Sequence, residues 1–207
     1  MIKTLRLGIM GGTFDPVHYG HLVAAEEAVV QFNLDRVVFM PTGRPVRKTH
    51  RSVSSAEDRY LMTVIATASN PDFEVSRLEI DRPGDTYTVE TLRLLRDSYG
   101  PGAELFFITG ADAVREILTW KGAEELAGLT TFIAATRPGY EADSLADAMP
   151  PGVPAPRVEP MAVPALAISS SDIRERVARR QPVRYLLPEA VAAYAVKNGL
   201  YSKGNDR

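Results

Sequence analysis

At 207 residues, 45% of them hydrophobic, the chain is long enough to bury one sizeable core and short for two. It has no cysteine, which removes disulfides, thiol nucleophiles and cysteine-held zinc from consideration. With 24 Lys+Arg against 26 Asp+Glu the formal net charge is -2, so no overall basic field exists to hold a nucleic-acid backbone and any phosphate site must be local.

No apolar run approaches the ~18 residues that suggest a membrane span. Met1-Ile2-Lys3-Thr4 leads straight into a strand-like segment rather than a signal peptide, so a cytoplasmic protein is expected. In chain order, strand-like apolar runs fall at Leu5–Met10, Val37–Met40, Phe73–Ile80, Glu104–Thr109 and Thr130–Ala135. Helical periodicity covers His21–Phe32, Ser55–Ala68, Thr88–Asp97, Ala111–Leu118, Ser170–Arg179 and Glu189–Asn198. Ser54 with Glu57, and Ser169 with Asp172, have capping-box spacing, and Pro188 suits the first position of the last helix. The alternation predicts an α/β fold, a parallel sheet flanked by helices, whose working face is the carboxyl end of the strands. Six of the 15 prolines lie between Pro150 and Pro164, which reads as a surface loop leading to a small C-terminal helical subregion at about 165–201. The whole chain, 1–207, is expected to be a single domain.

The most informative stretch is Gly8-Ile9-Met10-Gly11-Gly12-Thr13-Phe14-Asp15-Pro16-Val17-His18-Tyr19-Gly20-His21, an apolar strand that turns through small residues into a helix. Glycines let backbone approach phosphate oxygens, and the amides of a helix start point unpaired donors at them. The same glycines also suit an ordinary tight turn, and they lack the G-x-G-x-x-G spacing of a hydride-transferring dinucleotide fold. Of three histidines in the chain, His18 and His21 stand three apart on one helix face. They read as donors to a phosphate, as packed or solvated side chains, or as a metal pair completed by His50 or a carboxylate.

Gly12-Thr13-Phe14-Asp15-Pro16-Val17-His18-Tyr19-Gly20-His21 resembles the signature of the nucleotidyltransferase superfamily with the H-x-G-H motif. The resemblance implies a Rossmann-like sheet, with Gly11, Gly12, Thr13 and Phe14 around the nucleotide and His18 and His21 on the ATP phosphates. Five more segments resemble the bacterial nicotinate mononucleotide adenylyltransferases. Pro41-Thr42-Gly43-Arg44-Pro45-Val46-Arg47-Lys48 implies a phosphate contact from Lys48, although many relatives have Pro-His-Lys at its end. Asp85-Thr86-Tyr87-Thr88-Val89-Glu90-Thr91-Leu92 implies that Thr86, Tyr87 and Thr88 bind the nicotinate carboxylate. No lysine or arginine flanks that turn closely except Arg82 and Arg93, so backbone groups rather than a salt bridge are expected to discriminate.

Phe106-Phe107-Ile108-Thr109-Gly110-Ala111-Asp112-Ala113 implies Gly110 and Asp112 beside the nucleotide, and Trp120, the only tryptophan, resembles the residue that stacks on the pyridine ring. Relatives often carry a second aromatic shortly after it, where this chain has Lys121-Gly122-Ala123. Thr136-Arg137-Pro138-Gly139-Tyr140 implies Arg137 on the mononucleotide phosphate. Ile168-Ser169-Ser170-Ser171-Asp172-Ile173-Arg174 implies Ser169, Ser170 and Arg174 around the distal ATP phosphates. The closing Tyr185-Leu186-Leu187-Pro188 and the span from Tyr194 to Tyr201 read as packing.

The resemblance thus implies ATP and nicotinate mononucleotide as partners, and Mg²⁺ carried by the ATP phosphates. His18, His21, Lys48 and Arg174 are expected to supply the positive groups. Transfer to another phosphorylated acceptor, such as phosphopantetheine, and a catalytically silent nucleotide-binding module are the rival functions.

Overall fold

The structure, a computed structural model, describes residues 4–45, 53–114, 116–136, 154–164 and 166–202. Six strands form one fully parallel sheet: β1 (Leu5–Gly12), β2 (Arg36–Pro41), β3 (Phe73–Val75), β4 (Ala103–Gly110), β5 (Thr131–Thr136) and β6 (Val158–Ala162). Their spatial order is β3-β2-β1-β4-β5-β6, the doubly wound Rossmann order. The helices are α1 (Tyr19–Gln31), α2 (Ala56–Thr67), α3 (Thr88–Tyr99), α4 (Ala111–Val114), α5 (Ala123–Leu129), α6 (Ser170–Ala178) and α7 (Glu189–Lys197).

Strand residues alternate between two cores, as a sheet covered on both faces requires. Val37, Phe39, Phe106, Ile108 and Ile133 face one side, where α1, α2, α6 and α7 contribute Ala25, Met62, Ile173 and Val191. Leu7, Ile9, Val38, Met40, Leu105, Phe107, Phe132 and Ala134 face the other, against Val89 and Leu92 of α3 and Leu126 of α5. The chain order reverses between β1 and β4, so the carboxyl ends of those two strands open the crevice in which such sheets bind ligands.

Several boundaries differ from the sequence expectations. The Phe73–Ile80 run is extended only to Val75, and Arg77 then accepts a turn bond from Asp81 N at 2.9 Å. Ala111–Leu118 is not one helix; α4 stops at Val114 and a 3-10 turn covers Ile117–Thr119. The α2 cap is Ser55 rather than Ser54, because the Ser55 hydroxyl accepts from Asp58 N and its carbonyl from Arg59 N; the Ser54 carbonyl accepts from Arg59 Nε at 3.1 Å. Pro188 is the N-cap of α7 rather than its first residue. Ser169 caps α6 by accepting from Asp172 N, at the expected position.

The larger correction lies in the proline-rich segment. Residues 158–162 form β6, an edge strand paired with β5, and α5 is an element that the sequence reading did not find. Pro160 lacks the donor a central strand needs, but an edge strand tolerates proline. Met161 of β6 is fully buried in the first core. Met161→Ala should therefore cost about 2–5 kcal/mol, the range for truncating a packed core side chain. Urea unfolding checks this; a loss under about 0.5 kcal/mol, normal for a surface substitution, would return the segment to a loop.

Candidate active site

β1 ends in Gly11-Gly12 and the chain turns through Thr13-Phe14-Asp15 before entering α1 at His18. A methyl group on Gly11 would come within 2.8 Å of the Phe107 ring, and one on Gly12 within 2.9 Å of the Phe14 ring, so neither position has room for a side chain. Phe14 itself is 2% exposed and packs on His21 and Phe39 at ring distances of 5.1 and 5.7 Å. Its ring belongs to the core, which leaves only its backbone to face a nucleotide.

His18 is the N-cap of α1 and His21 lies in the first turn. Their rings stack with centroids 3.8 Å apart, and the His18 backbone N–H donates to His21 Nδ1 at 3.2 Å. That bond fixes the hydrogen of a neutral His21 on Nε2. His18 is buried and its Nδ1 has no partner among the described residues. Burial lowers its pKa to about 4, so this imidazole is neutral at pH 7. The expectation that it supplies positive charge is corrected accordingly.

The turn is held from beneath by Arg59 of α2, a residue that sequence reasoning passed over. Its guanidinium, 1% exposed, donates to the carbonyls of Ser54, Thr13 and Gly43 at 3.1, 2.9 and 3.0 Å. Burial pulls the Arg59 pKa down, opposed by Asp15, then Tyr201 and Glu79. Asp15 is buried and accepts from Tyr201 Oη at 2.7 Å, which ties the end of the described chain to the signature turn. Tyr201 therefore does more than pack. Burial, chiefly, pushes its phenol well above the ordinary range.

α6 docks on the same turn from the other side. Arg174 Nη1 donates to the Asp15 carbonyl at 2.6 Å and Nη2 to Ser171 Oγ at 3.1 Å. Ser170 Oγ donates to the Pro16 carbonyl at 2.8 Å, while the Ser169 hydroxyl oxygen accepts from Asp172 N in its cap and keeps its O–H to donate.

In front of β1 and β4 lies a cleft of about 660 Å³. Gly11, Gly12, Thr13, Thr86, Tyr87, Thr88 and Trp120 line it together with Thr42, Glu79, Glu116 and Lys121. Tyr87 caps α3 without a side-chain bond, and the Glu90 and Thr91 amides return to its carbonyl. The Thr88 and Val89 amides have no such return among the described residues, as expected at a helix start. Trp120 stands edge-on to Phe107 and Phe132, at 5.9 and 6.2 Å, with part of its surface in the cleft.

Glu79, missed by the sequence reading, is 8% exposed and accepts from Thr91 Oγ1 at 2.6 Å. Burial raises its pKa to about 6. Gly110 ends β4 at the switch point, beside the α4 that contains Asp112. Lys48, Arg137 and the Asp112 side chain lie outside the described residues. A second cavity of about 140 Å³ opens between Gly20 and Val23 of α1, Ala135 and Thr136 of β5, and Val163, Pro164 and Leu166. Among the described residues no group of three or more His, Asp or Glu could hold a metal ion, and no helix is long and apolar enough to cross a membrane.

A doubly wound sheet whose switch point carries glycines, a helix start and a histidine pair defines a nucleotide-binding α/β protein. Residues 9–176 match the Cytidylyltransferase-like family model. A Streptomyces coelicolor protein described as "Probable nicotinate-nucleotide adenylyltransferase" is 60% identical over 93% of this chain and 98% of its own length. One of the same description from Acidothermus cellulolyticus is 52% identical over 97% and 96%. The nicotinic acid mononucleotide adenylyltransferase of Plasmodium falciparum, solved with NaAD, shares the fold, with a TM-score of 0.78 at 20% identity over 95% of this chain and 97% of that one. The chain belongs to the cytidylyltransferase-like family and, within it, to the nicotinate-nucleotide adenylyltransferases.

The burial of His18 sets a pH dependence. Its folded pKa of about 4 lies below the unfolded value of 6.5, so the unfolded chain binds the extra proton between them. The contribution is fully present above pH 6.5 and is lost as pH falls towards 4. Between pH 7 and 5 it amounts to about 2 kcal/mol. Urea unfolding of the wild type and His18→Gln at both pH values checks this; equal pH slopes in the two proteins would contradict it.

Proposed function

We infer that the chain transfers the adenylyl group of ATP to nicotinate mononucleotide, giving nicotinate adenine dinucleotide and pyrophosphate, a step in NAD biosynthesis. The observation that carries this reading is the cleft that brings an uncapped helix start, Thr86 to Thr88, and the single tryptophan to the switch point of a chain of this family. The helix start suits a carboxylate, and Trp120 presents apolar aromatic surface to a pyridine ring. The smaller cavity, across the α1 terminus, suits the adenine base, which leaves the Gly11–Thr13 turn between the two for the phosphates.

In this reading a phosphate oxygen of the mononucleotide attacks the α-phosphorus of ATP in line. The new P–O bond forms as the bond to the β-phosphate oxygen breaks, and the electron pair leaves with pyrophosphate. No protein group is covalently modified, so catalysis is positioning and charge stabilisation. ATP enters with Mg²⁺ on its phosphates, as part of the substrate. His21 Nε2–H is the donor to the reacting phosphate, because its Nδ1 is occupied by the His18 amide. His18, stacked on His21, is assigned to the same phosphates. Arg174 uses two N–H groups on the turn and Ser171 and keeps three for the distal phosphates, with Ser169 and Ser170 at the same helix start. Lys48 and Arg137 are assigned to the reacting phosphates and the mononucleotide phosphate, and Gly110 and Asp112 to the nucleotide.

We take residues 1–207 as one nucleotidyltransferase domain, because α6 and α7 of the 165–201 subregion pack into the same core as α1 and α2. A chain without cysteine that consumes ATP is assigned to the cytoplasm.

The deciding experiment is pyrophosphate release from MgATP across a panel of acceptors: nicotinate mononucleotide, its nicotinamide counterpart, phosphopantetheine and glycerol phosphate. The acid mononucleotide should lead the amide by about ten- to hundredfold in kcat/KM, because a carboxamide leaves helix-start donors unmatched. A phosphopantetheine lead, or turnover of none, would reject the reading. His21→Ala should fold and lose kcat by about 10²–10³-fold; near wild-type turnover would remove its role.

A further inference from the structure

An acceptor that carries both a ring carboxylate and a phosphate must enter a cleft whose wall already holds two carboxyl groups, Glu79 and Glu116. Among the described residues that line this cleft, Lys121 is the only cation. Arg82 and Arg93 are not part of the wall; the first sits 3.4 Å from Glu90 and the second is paired with Glu125 of α5.

Lys121 is held at the helix start rather than left loose. Its Nζ lies 4.1 Å from the centre of the Tyr87 ring and donates to Glu90 Oε1 at 2.9 Å. The backbone on both sides is pinned. Trp120 is wedged against Phe107 and Phe132, and Gly122, at a φ of 70, approaches so closely that a methyl group there would lie 3.0 Å from a Val89 methyl carbon. The ammonium thus covers the aromatic side chain of the residue that caps α3, and its nearest carboxylate is in the first turn of that helix.

We propose that Lys121 is a specificity-determining residue that reads the carboxylate on the acceptor's pyridine ring. This rests on the acceptor assigned above. The expectation that backbone groups alone discriminate is revised, since a cation does stand at the turn once the chain folds. Glu90 holds the ammonium, and the Lys121 bond is the main cause of the lowered Glu90 pKa. The incoming carboxylate takes a share of the ammonium's three donors while Tyr87 steers the stem. Glu90 is therefore a competitor as well as a holder, and its charge moderates the selectivity.

The test compares kcat/KM for the acid and amide mononucleotides, with MgATP, in the wild type, Lys121→Met, Lys121→Arg, Glu90→Gln and the Lys121→Met/Glu90→Gln double variant. Lys121→Met should lower the acid-to-amide ratio by about three- to tenfold, chiefly through the KM for the acid, and Lys121→Arg should retain most of the ratio. Glu90→Gln should raise the ratio, and the rise should vanish in the double variant. Added salt should reduce the ratio in the wild type more than in Lys121→Met. If both acceptors weaken equally in Lys121→Met, Lys121 only supports the Tyr87 wall and the proposal falls. If the wild type itself does not prefer the acid, the acceptor assignment fails first.

Discussion

A guanidinium buried to 1% exposure has to find hydrogen-bond acceptors on every side, because removing its charge from water costs several kcal/mol if it is left unmatched. Arg59 meets that demand with three carbonyls from three segments: the residue before the cap of its own helix, the turn after β1 and the loop after β2. A carbonyl held in this way fixes the peptide plane that follows it. The Thr13 carbonyl orients the Phe14 amide, and the Gly43 carbonyl orients the Arg44 amide, which reaches Thr86 Oγ1 at 3.1 Å. The loops on two neighbouring strands, and through Thr86 the start of α3, are thereby set relative to one another by a single buried charge. Its compensating carboxyls, Asp15 and Glu79, belong to the signature turn and to the cleft wall.

The same turn is clamped from its outer side by elements distant in sequence. Arg174 and Ser170 of α6 take the carbonyls of Asp15 and Pro16, and Tyr201 takes the Asp15 carboxylate. A turn held at this many points has little ordering entropy left to lose on binding a ligand. It also gives Arg174 and Ser170 two tasks, since they hold the loop and stand at the helix start assigned to the distal phosphates.

Charge is distributed unequally over the site. The histidine next to the turn is neutral through burial, and the cleft assigned to the acceptor carries Glu79 and Glu116 against Lys121 alone among its described residues. Glu79, although burial raises its pKa to about 6, remains mostly ionised at pH 7, so its charge still opposes an anion in the cleft. Selectivity in such a cleft follows from where its few charges sit rather than from a general positive field, in keeping with the net charge of -2.

The period-2 and period-3.6 patterns of the sequence were enough to place five of the six described strands and five of the seven described helices, because fully buried strands and amphipathic helices carry their environment in their composition. The strand, turn and helix start across Gly8–His21 were legible for a similar reason, since small residues that let the chain turn sharply lead there into a helix. Where the sequence misled, the deciding force was not local. Pro160 looks like a loop residue until β5 supplies a partner on one side only; Ser54 looks like a cap until Ser55 accepts from the Asp58 and Arg59 amides. Arg59 and Glu79 carry no motif and Tyr201 reads along the chain only as packing; their importance comes from tertiary contacts and burial, which no single stretch of sequence displays. Lys121 reads as a missing aromatic along the chain, and only the fold, which lays it across Tyr87 beside Glu90, turns that absence into a cation on the cleft wall.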